Sequence, residues 1–225
     1  MHSRGMPNAT ISLGENKARA LLLEAAGEVF AEQGFHGATI REITRRAKVN
    51  IAAVNYYFRD KAELYVAVLR HAHRSSLERE LWERAQEGTA EERLRRFVHG
   101  LFQHLLSPSR PQWHCTLIAR ELAAPTPLFK QLIDEGLRPH FLVLKKAVQQ
   151  VAGVPLSERK LQMIAGSILG QCFFYRHSRA VAEQLLPELY KGENWVHEVA
   201  EHIAKLSISA IRAEFSKNPD KSINS

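Results

Sequence analysis

The chain has 225 residues, 45% of them apolar and 24% charged, which fits a folded globular protein and excludes a disordered chain. Its longest apolar run, 164–175, is interrupted by Ser167 and Gln171 and falls short of the roughly 18–20 residues of a membrane span, and 1–13 holds no apolar block for a signal peptide. The expectation is a soluble cytoplasmic protein with no membrane partner; its net charge of +7 permits nucleic-acid binding, and Cys115 and Cys172 are too few for a disulfide framework or a four-thiolate metal site.

In chain order, 1–14 lacks periodicity and reads as a disordered arm. A helix follows over 17–33, where Ala18, Leu21, Leu22, Ala25, Ala26, Val29 and Phe30 recur at three and four spacing, and Gly34 stops it. Thr39 and Glu42 have capping-box spacing and open a second helix with Ile40, Ile43 and Ala47 inward. Lys48 and Val49 form a tight turn, Asn50 caps a third helix to about Tyr57, and the Asp60–Glu63 box opens a fourth, reaching about Arg84. A turn at 86–89 and a third box, Thr89 with Glu92, start a helix carrying Leu94, Phe97, Val98, Leu101, Phe102 and Leu105, which 107–111 ends. Trp113 to Ala123 is a shorter helix. Pro125 and Pro127 start a long segment that Pro139 must kink or divide and that Gly153 and Pro155 close. Ser157 caps a helix to about Glu183, a final helix runs from about Asn194 to Phe215, and 216–225 is a polar tail expected to be disordered. The fold class is all-α: a helix-turn-helix unit at 15–64 and a larger helical body at 65–215.

The second and third helices meet the requirements of a helix-turn-helix, two short helices joined tightly with the second free to enter a major groove. Val49, Val54 and Phe58 are spaced to pack inward, leaving Asn50, Ile51, Ala52, Ala53, Asn55 and Tyr56 outward, where small residues allow close approach to DNA. Between 41 and 61 stand six basic residues (Arg41, Arg45, Arg46, Lys48, Arg59, Lys61) and two acidic ones (Glu42, Asp60), a local balance of +4. An ordinary helical hairpin with a solvated face is the competing reading.

The stretch from about Lys17 to Val68 resembles the DNA-binding domain of the TetR family of bacterial transcriptional repressors. The residues that carry the resemblance are Ala25, Ala26, Phe30, Gly34 and Phe35, then Thr39 to Ile43, Ala47 to Asn50, Tyr56 to Phe58, and Asp60 to Leu64. Asn50 to Phe58 and Gly170 to His177 also resemble one subgroup. The resemblance implies phosphate contacts from Thr39, Tyr56 and Lys61. Arg41 and Arg45, four apart on one helix face, are candidate secondary clamps, with a solvated charged face beside Glu42 as the alternative. The chain departs from the family twice. Lys48 stands where the family usually has glycine, because the turn favours a left-handed residue; Asn55 stands where tyrosine often contacts a phosphate, and could pair with an adenine edge instead, or simply with a phosphate.

The resemblance also implies a homodimer joined through the last two long helices. Gly166 and Gly170 permit close helix approach, with Ile164, Ile168, Phe174, Val199, Ile203 and Leu206 beside them; an intramolecular core is the alternative for the same residues. Candidates to line an inducer pocket are Phe102, His104, Trp113, His114, Phe129, Phe141, Phe173, Tyr175, Arg176 and His177, although aromatics at helical spacing also build plain core. No His-x3-His or Cys-x2-Cys spacing occurs, so no metal site is expected. Nucleophile elbow, Walker loop and dinucleotide fingerprint are also missing, so neither a cofactor nor an enzyme is expected. The resulting reading is a homodimer that represses from a palindromic operator in double-stranded DNA and is released by a small-molecule inducer. Its rivals are a regulator without inducer, and an all-α enzyme or carrier with a vestigial reading head.

Overall fold

The structure, a computed structural model, describes residues 9–73, 88–106 and 111–215. Among these residues there is no strand, and the all-α reading holds. In chain order the helices are α1 (Ala9–Gly37), α2 (Ile40–Ala47), α3 (Ala52–Phe58), α4 (Lys61–His73), α5 (Ala90–Leu106), α6 (Gln112–Ala123), α7 (Phe129–Leu132), α8 (Arg138–Ala152), α9 (Glu158–His177), α10 (Arg179–Leu185) and α11 (Trp195–Phe215). A π-helical turn, Ile133–Leu137, joins α7 to α8, and a 3-10 turn, Leu189–Lys191, precedes α11.

The chain divides into two compact units, one of 9–73 with 111–136, the other of 88–106 with 137–215. The expected boundary at 64/65 falls inside α4, and α6 and α7 pack with α1 and α4 in the first unit. The core of this unit is built from the stripe read on α1 (Leu22, Ala26, Val29, Phe30), with Ile43 and Ala47 of α2, Val54 and Phe58 of α3, Leu64, Tyr65, Val68 and Leu69 of α4, and Trp113 and Leu117 of α6. Gly27 lies directly under the Trp113 ring, where even a methyl group would overlap the indole. The second unit buries Leu94, Phe97, Val98 and Phe102 of α5 against Leu144 and Val148 of α8, Ile168 and Cys172 of α9, and Val199, Ile203, Ile208 and Ile211 of α11.

The helix ends follow their side chains. Gly34 has φ 73° and breaks α1 as expected, leaving a separate turn to Gly37. Thr89 and Glu92 form the full reciprocal box: the Thr89 amide donates to the Glu92 carboxylate (2.8 Å), and the Glu92 amide to Thr89 Oγ1 (3.3 Å). Asp60 accepts from the Glu63 amide (2.8 Å), and Ser157 from the Lys160 amide (3.3 Å). Pro139 sits at the start of α8, where its missing amide costs least, so the long segment is divided by the π turn before it. Gly153, at φ 70°, ends α8.

Two helix boundaries differ from the sequence reading. The first helix begins at Ala9, inside the segment 1–14 read as a disordered arm; 1–8 lie outside the described residues. The helix expected to reach Glu183 stops at His177, where Ser178 (φ −103°, ψ 22°) interrupts it before α10. The continuation of the fourth helix to Arg84, the turn begun at 86, the break at 107–110 and the tail 216–225 also lie outside the described residues.

Lys48 takes the left-handed conformation that its turn demands (φ 54°, ψ 41°), and its amide donates to the carbonyl of Arg45. A side chain in that region costs roughly 1–2 kcal/mol, partly offset by the greater chain entropy that glycine would lose. Lys48→Gly should therefore stabilise the first unit by about 1 kcal/mol, read as a higher urea midpoint with an unchanged slope. An equal or lower midpoint would show that the turn carries no strain at Lys48.

Candidate nucleic-acid interface

The candidate reading face is made by α2, α3 and the turns on either side of α3. Thr39 caps α2, its Oγ1 accepting from the Glu42 amide (3.2 Å). The Glu42 carboxylate turns the other way, accepting two bonds from Arg45 (2.8 and 2.9 Å) and one from Arg46 (2.9 Å). The Arg45 hydrogen bonds first, and that of Arg46 next, hold its carboxyl down to about 2. Arg46 also forks onto Glu32 of α1 (2.6 and 2.8 Å), so its guanidinium fastens α2 to α1. Arg41 is exposed and has no carboxylate partner among the described residues.

On α3 the inward and outward sets separate as the spacing predicts except at Ala53, expected outward, which packs against the core of the first unit. Val54 and Phe58 are 1% and 6% exposed, whereas Ile51 and Tyr56 are 57% and 70% exposed. Asn50, Ala52 and Asn55 share the exposed side, and Ala53 is half-buried. Asn50 Oδ1 accepts from the Ala52 amide (2.9 Å), so its acceptor is committed to the turn before α3. The side-chain carboxamide of Asn55 makes no hydrogen bond among the described residues. The ring of Tyr56 stands edge-on to Tyr57, with centroids 4.8 Å apart.

Lys61, half-buried, donates to the carbonyl of Ala38 (2.9 Å) and lies 4.7 Å from the centre of the Phe35 ring. It ties the start of α4 to the turn before α2, with two ammonium protons left for another acceptor. Sequence reasoning missed this tether and the Arg46 fork, since neither side chain carries a local signal of its long-range partner. It also missed the joint between α3 and α4. Arg59 has φ 64° and ψ −49°, and the Asp60 amide donates to the carbonyl of Phe58 (2.7 Å), which makes a strained γ-turn with an exposed arginine at its apex.

The structure places the pocket candidates in two different units. Trp113 and Phe129 pack with the first unit's core, and His114 is buried beside Trp113; Phe102, His104, Phe141, Phe173, Tyr175, Arg176 and His177 belong to the second. Phe102 is 1% exposed and packs near Tyr175 (5.9 Å). It is also the one candidate that lines a cleft of about 180 Å³ between α5 and α11, together with His99, Gln103, Asn194 and His197. That volume is below the roughly 300–1,000 Å³ of ordinary ligand pockets.

Among the dimer candidates, Ile168, Val199 and Ile203 are buried in the core of their own chain, because α9 and α11 turn those residues toward α5 and α8. This corrects their reading as seam residues. Gly166, Gly170 and Phe174 of α9 and Leu206 of α11 are exposed, and Ile164 is half-buried. Nothing lies within 4 Å of a methyl group built at Gly166 or Gly170.

Residues 22–68 match the bacterial regulatory proteins of the tetR family, and residues 90–211, more than half of the chain, match the C-terminal domain of the HTH-type transcriptional dual regulator CecR. The chain belongs to the TetR family. It is 35% identical over 83 residues to the HTH-type transcriptional repressor NicS of Pseudomonas putida, covering 37% of this chain and 39% of that one. It is 39% identical over 87 residues to the HTH-type transcriptional regulator BetI of Escherichia coli, covering 37% and 44%. The chain thus spans about two fifths of the length of these relatives. The transcriptional regulator FadR of Bacillus subtilis, solved with stearoyl-CoA, has the same fold at 19% identity, with a TM-score of 0.63 over 84% of this chain and 97% of that one. No helix among the described residues is long and apolar enough to cross a membrane.

Proposed function

We propose that the protein acts as a homodimer, represses transcription from a palindromic operator and is released by a small molecule. The outward face of α3 carries this reading: Asn55 and Tyr56 stand exposed beside the small residues Ala52 and Ala53 while the opposite face is locked into the core. A single short helix reads few bases. Two copies would read half-sites separated by one helical turn, about 34–36 Å, or a multiple of it. The exposed strip of Gly166, Gly170 and Phe174 on α9 supports the pairing of two chains. Release requires that the ligand prefer a conformation with weaker operator affinity, since equal affinity for both states shifts nothing. An electrophoretic shift assay with DNA from upstream of the protein's own gene tests the DNA reading; a complex resisting excess unrelated DNA is expected, and no complex overturns it. A thermal-shift screen then tests for the inducer, since a ligand that binds the folded state raises its melting temperature.

Within the face, Asn55 is the residue we assign to base reading and Tyr56 to phosphate contact. Asparagine can make a bidentate pair with an adenine edge that discriminates by about 1–3 kcal/mol. Asn55→Ala should relax the operator preference at one position per half-site, and Tyr56→Phe should mainly weaken binding. Selection from randomised operators measures both; an unchanged preference for Asn55→Ala moves the reading role to Asn50, Ala52 and Ala53.

A further inference from the structure

Three helices of the first unit bring a carboxylate and two imidazoles together at a place remote from α3 in sequence. Glu24 lies on α1, His71 on α4 and His114 on α6, and their ligand atoms all lie within 4.8 Å of one another. Glu24 Oε1 is 2.9 Å from His71 Nε2. The other oxygen, Oε2, accepts from the indole nitrogen of Trp113 (3.0 Å), which fixes the plane of the carboxylate. The rings of His71 and His114 meet edge to face, 5.6 Å apart. His114 is buried, whereas the side chains of His71 and Glu24 are 40% and 47% exposed, so the cluster has a floor inside the protein and a mouth open to solvent.

We propose that Glu24, His71 and His114 form a binding site for a late first-row divalent cation: Zn2+, Co2+ or Ni2+. The donor set selects the ion. Two imidazole nitrogens and one carboxylate suit these borderline ions, whereas Mg2+ and Ca2+ favour all-oxygen shells. Three protein ligands leave a position for water, and the solvent-facing mouth lies where that water would enter. Bonds of about 2.0–2.1 Å require the ligand atoms to close to about 3.4 Å, a movement within the reach of small side-chain rotations. The Trp113 bond supplies the outer support that metal-ligating carboxylates commonly have. An ion held here would fasten α4 to both α1 and α6, the helices against which it already packs.

The test uses the full chain with Co2+ as a visible probe. The unmodified protein should bind one Co2+ per chain with a ligand-field spectrum, and Zn2+ should displace it. His71→Ala and Glu24→Gln should each weaken binding by more than about 100-fold, because even outer partners of such sites are worth about 10–100-fold. His36→Ala, an exposed histidine outside the cluster, should leave the titration unchanged. Circular dichroism reports whether each variant folds; Glu24→Gln keeps the size of the side chain and decides if His71→Ala does not fold. Absence of Co2+ binding at millimolar concentration, or binding of the same strength in Glu24→Gln, overturns the assignment.

Discussion

Phe30→Ala should lower the unfolding free energy of the first unit by about 3–5 kcal/mol, the range for deleting a fully buried phenylalanine. Phe30 is completely buried, edge-on to Tyr65 (4.7 Å, 88°) and stacked on Phe35 (6.4 Å). The aromatic contact adds about 0.5–1.5 kcal/mol beyond the area that it buries. Tyr65 cannot swing into the void, because its hydroxyl donates to the carboxylate of Glu121, itself 1% exposed and accepting from the Thr126 amide (3.1 Å). The cavity therefore stays open, which places the cost in the upper part of the range. Domains are stable by only about 5–15 kcal/mol, so α2 and α3, which rest on α1 and α4, should lose their fixed arrangement at modest temperature. Urea denaturation measures the loss. A cost below about 1 kcal/mol would mean that the neighbouring side chains collapse into the space.

Gly170→Leu should weaken self-association by about 1–3 kcal/mol, or roughly 5–150-fold in the dissociation constant. Within one chain a β-carbon at position 170 faces open space, and leucine favours a helix over glycine by nearly 1 kcal/mol. The isolated chain should thus be as stable as before or slightly more so. Opposite signs in the two measurements, association by sedimentation equilibrium and chain stability by denaturation under dissociating conditions, locate the effect at a surface between copies. Unchanged association would place any seam elsewhere, for instance around Leu206 of α11 alone.

Local signals were legible in the sequence. Gly34, Asp60, Thr89, Gly153 and Ser157 each act through atoms within a few residues of themselves, so their roles follow from spacing. The division of α3 into buried and exposed sides was readable for the same reason. Choice of partner was not. The stripe Ile168, Val199 and Ile203 says only that something must cover it, and its own chain does so. Nothing in 111–136 announces that it packs with 9–73, because Trp113 finds its place over Gly27 across 86 positions. Likewise, scanning for short histidine spacings could not find a cluster whose members, Glu24, His71 and His114, come from three helices.

The internal ties of the basic segment determine how the protein would respond to ionic strength. Arg46 is bound to Glu32 and Glu42, Lys61 to the carbonyl of Ala38, and Arg45 shares its guanidinium with Glu42. Arg41 and Lys48 remain exposed without a carboxylate partner among the described residues, and Arg59 has only a loose pair with Asp60 (3.8 Å). Each phosphate neutralised on a duplex releases about 0.9 of a condensed counterion. The Ala38 carbonyl is neutral and leaves the Lys61 charge intact, so a duplex docked on this face would exchange ions mainly with Arg41, Lys48, Arg59 and Lys61, and its affinity should fall with added salt less steeply than all six basic residues of 41–61 would give.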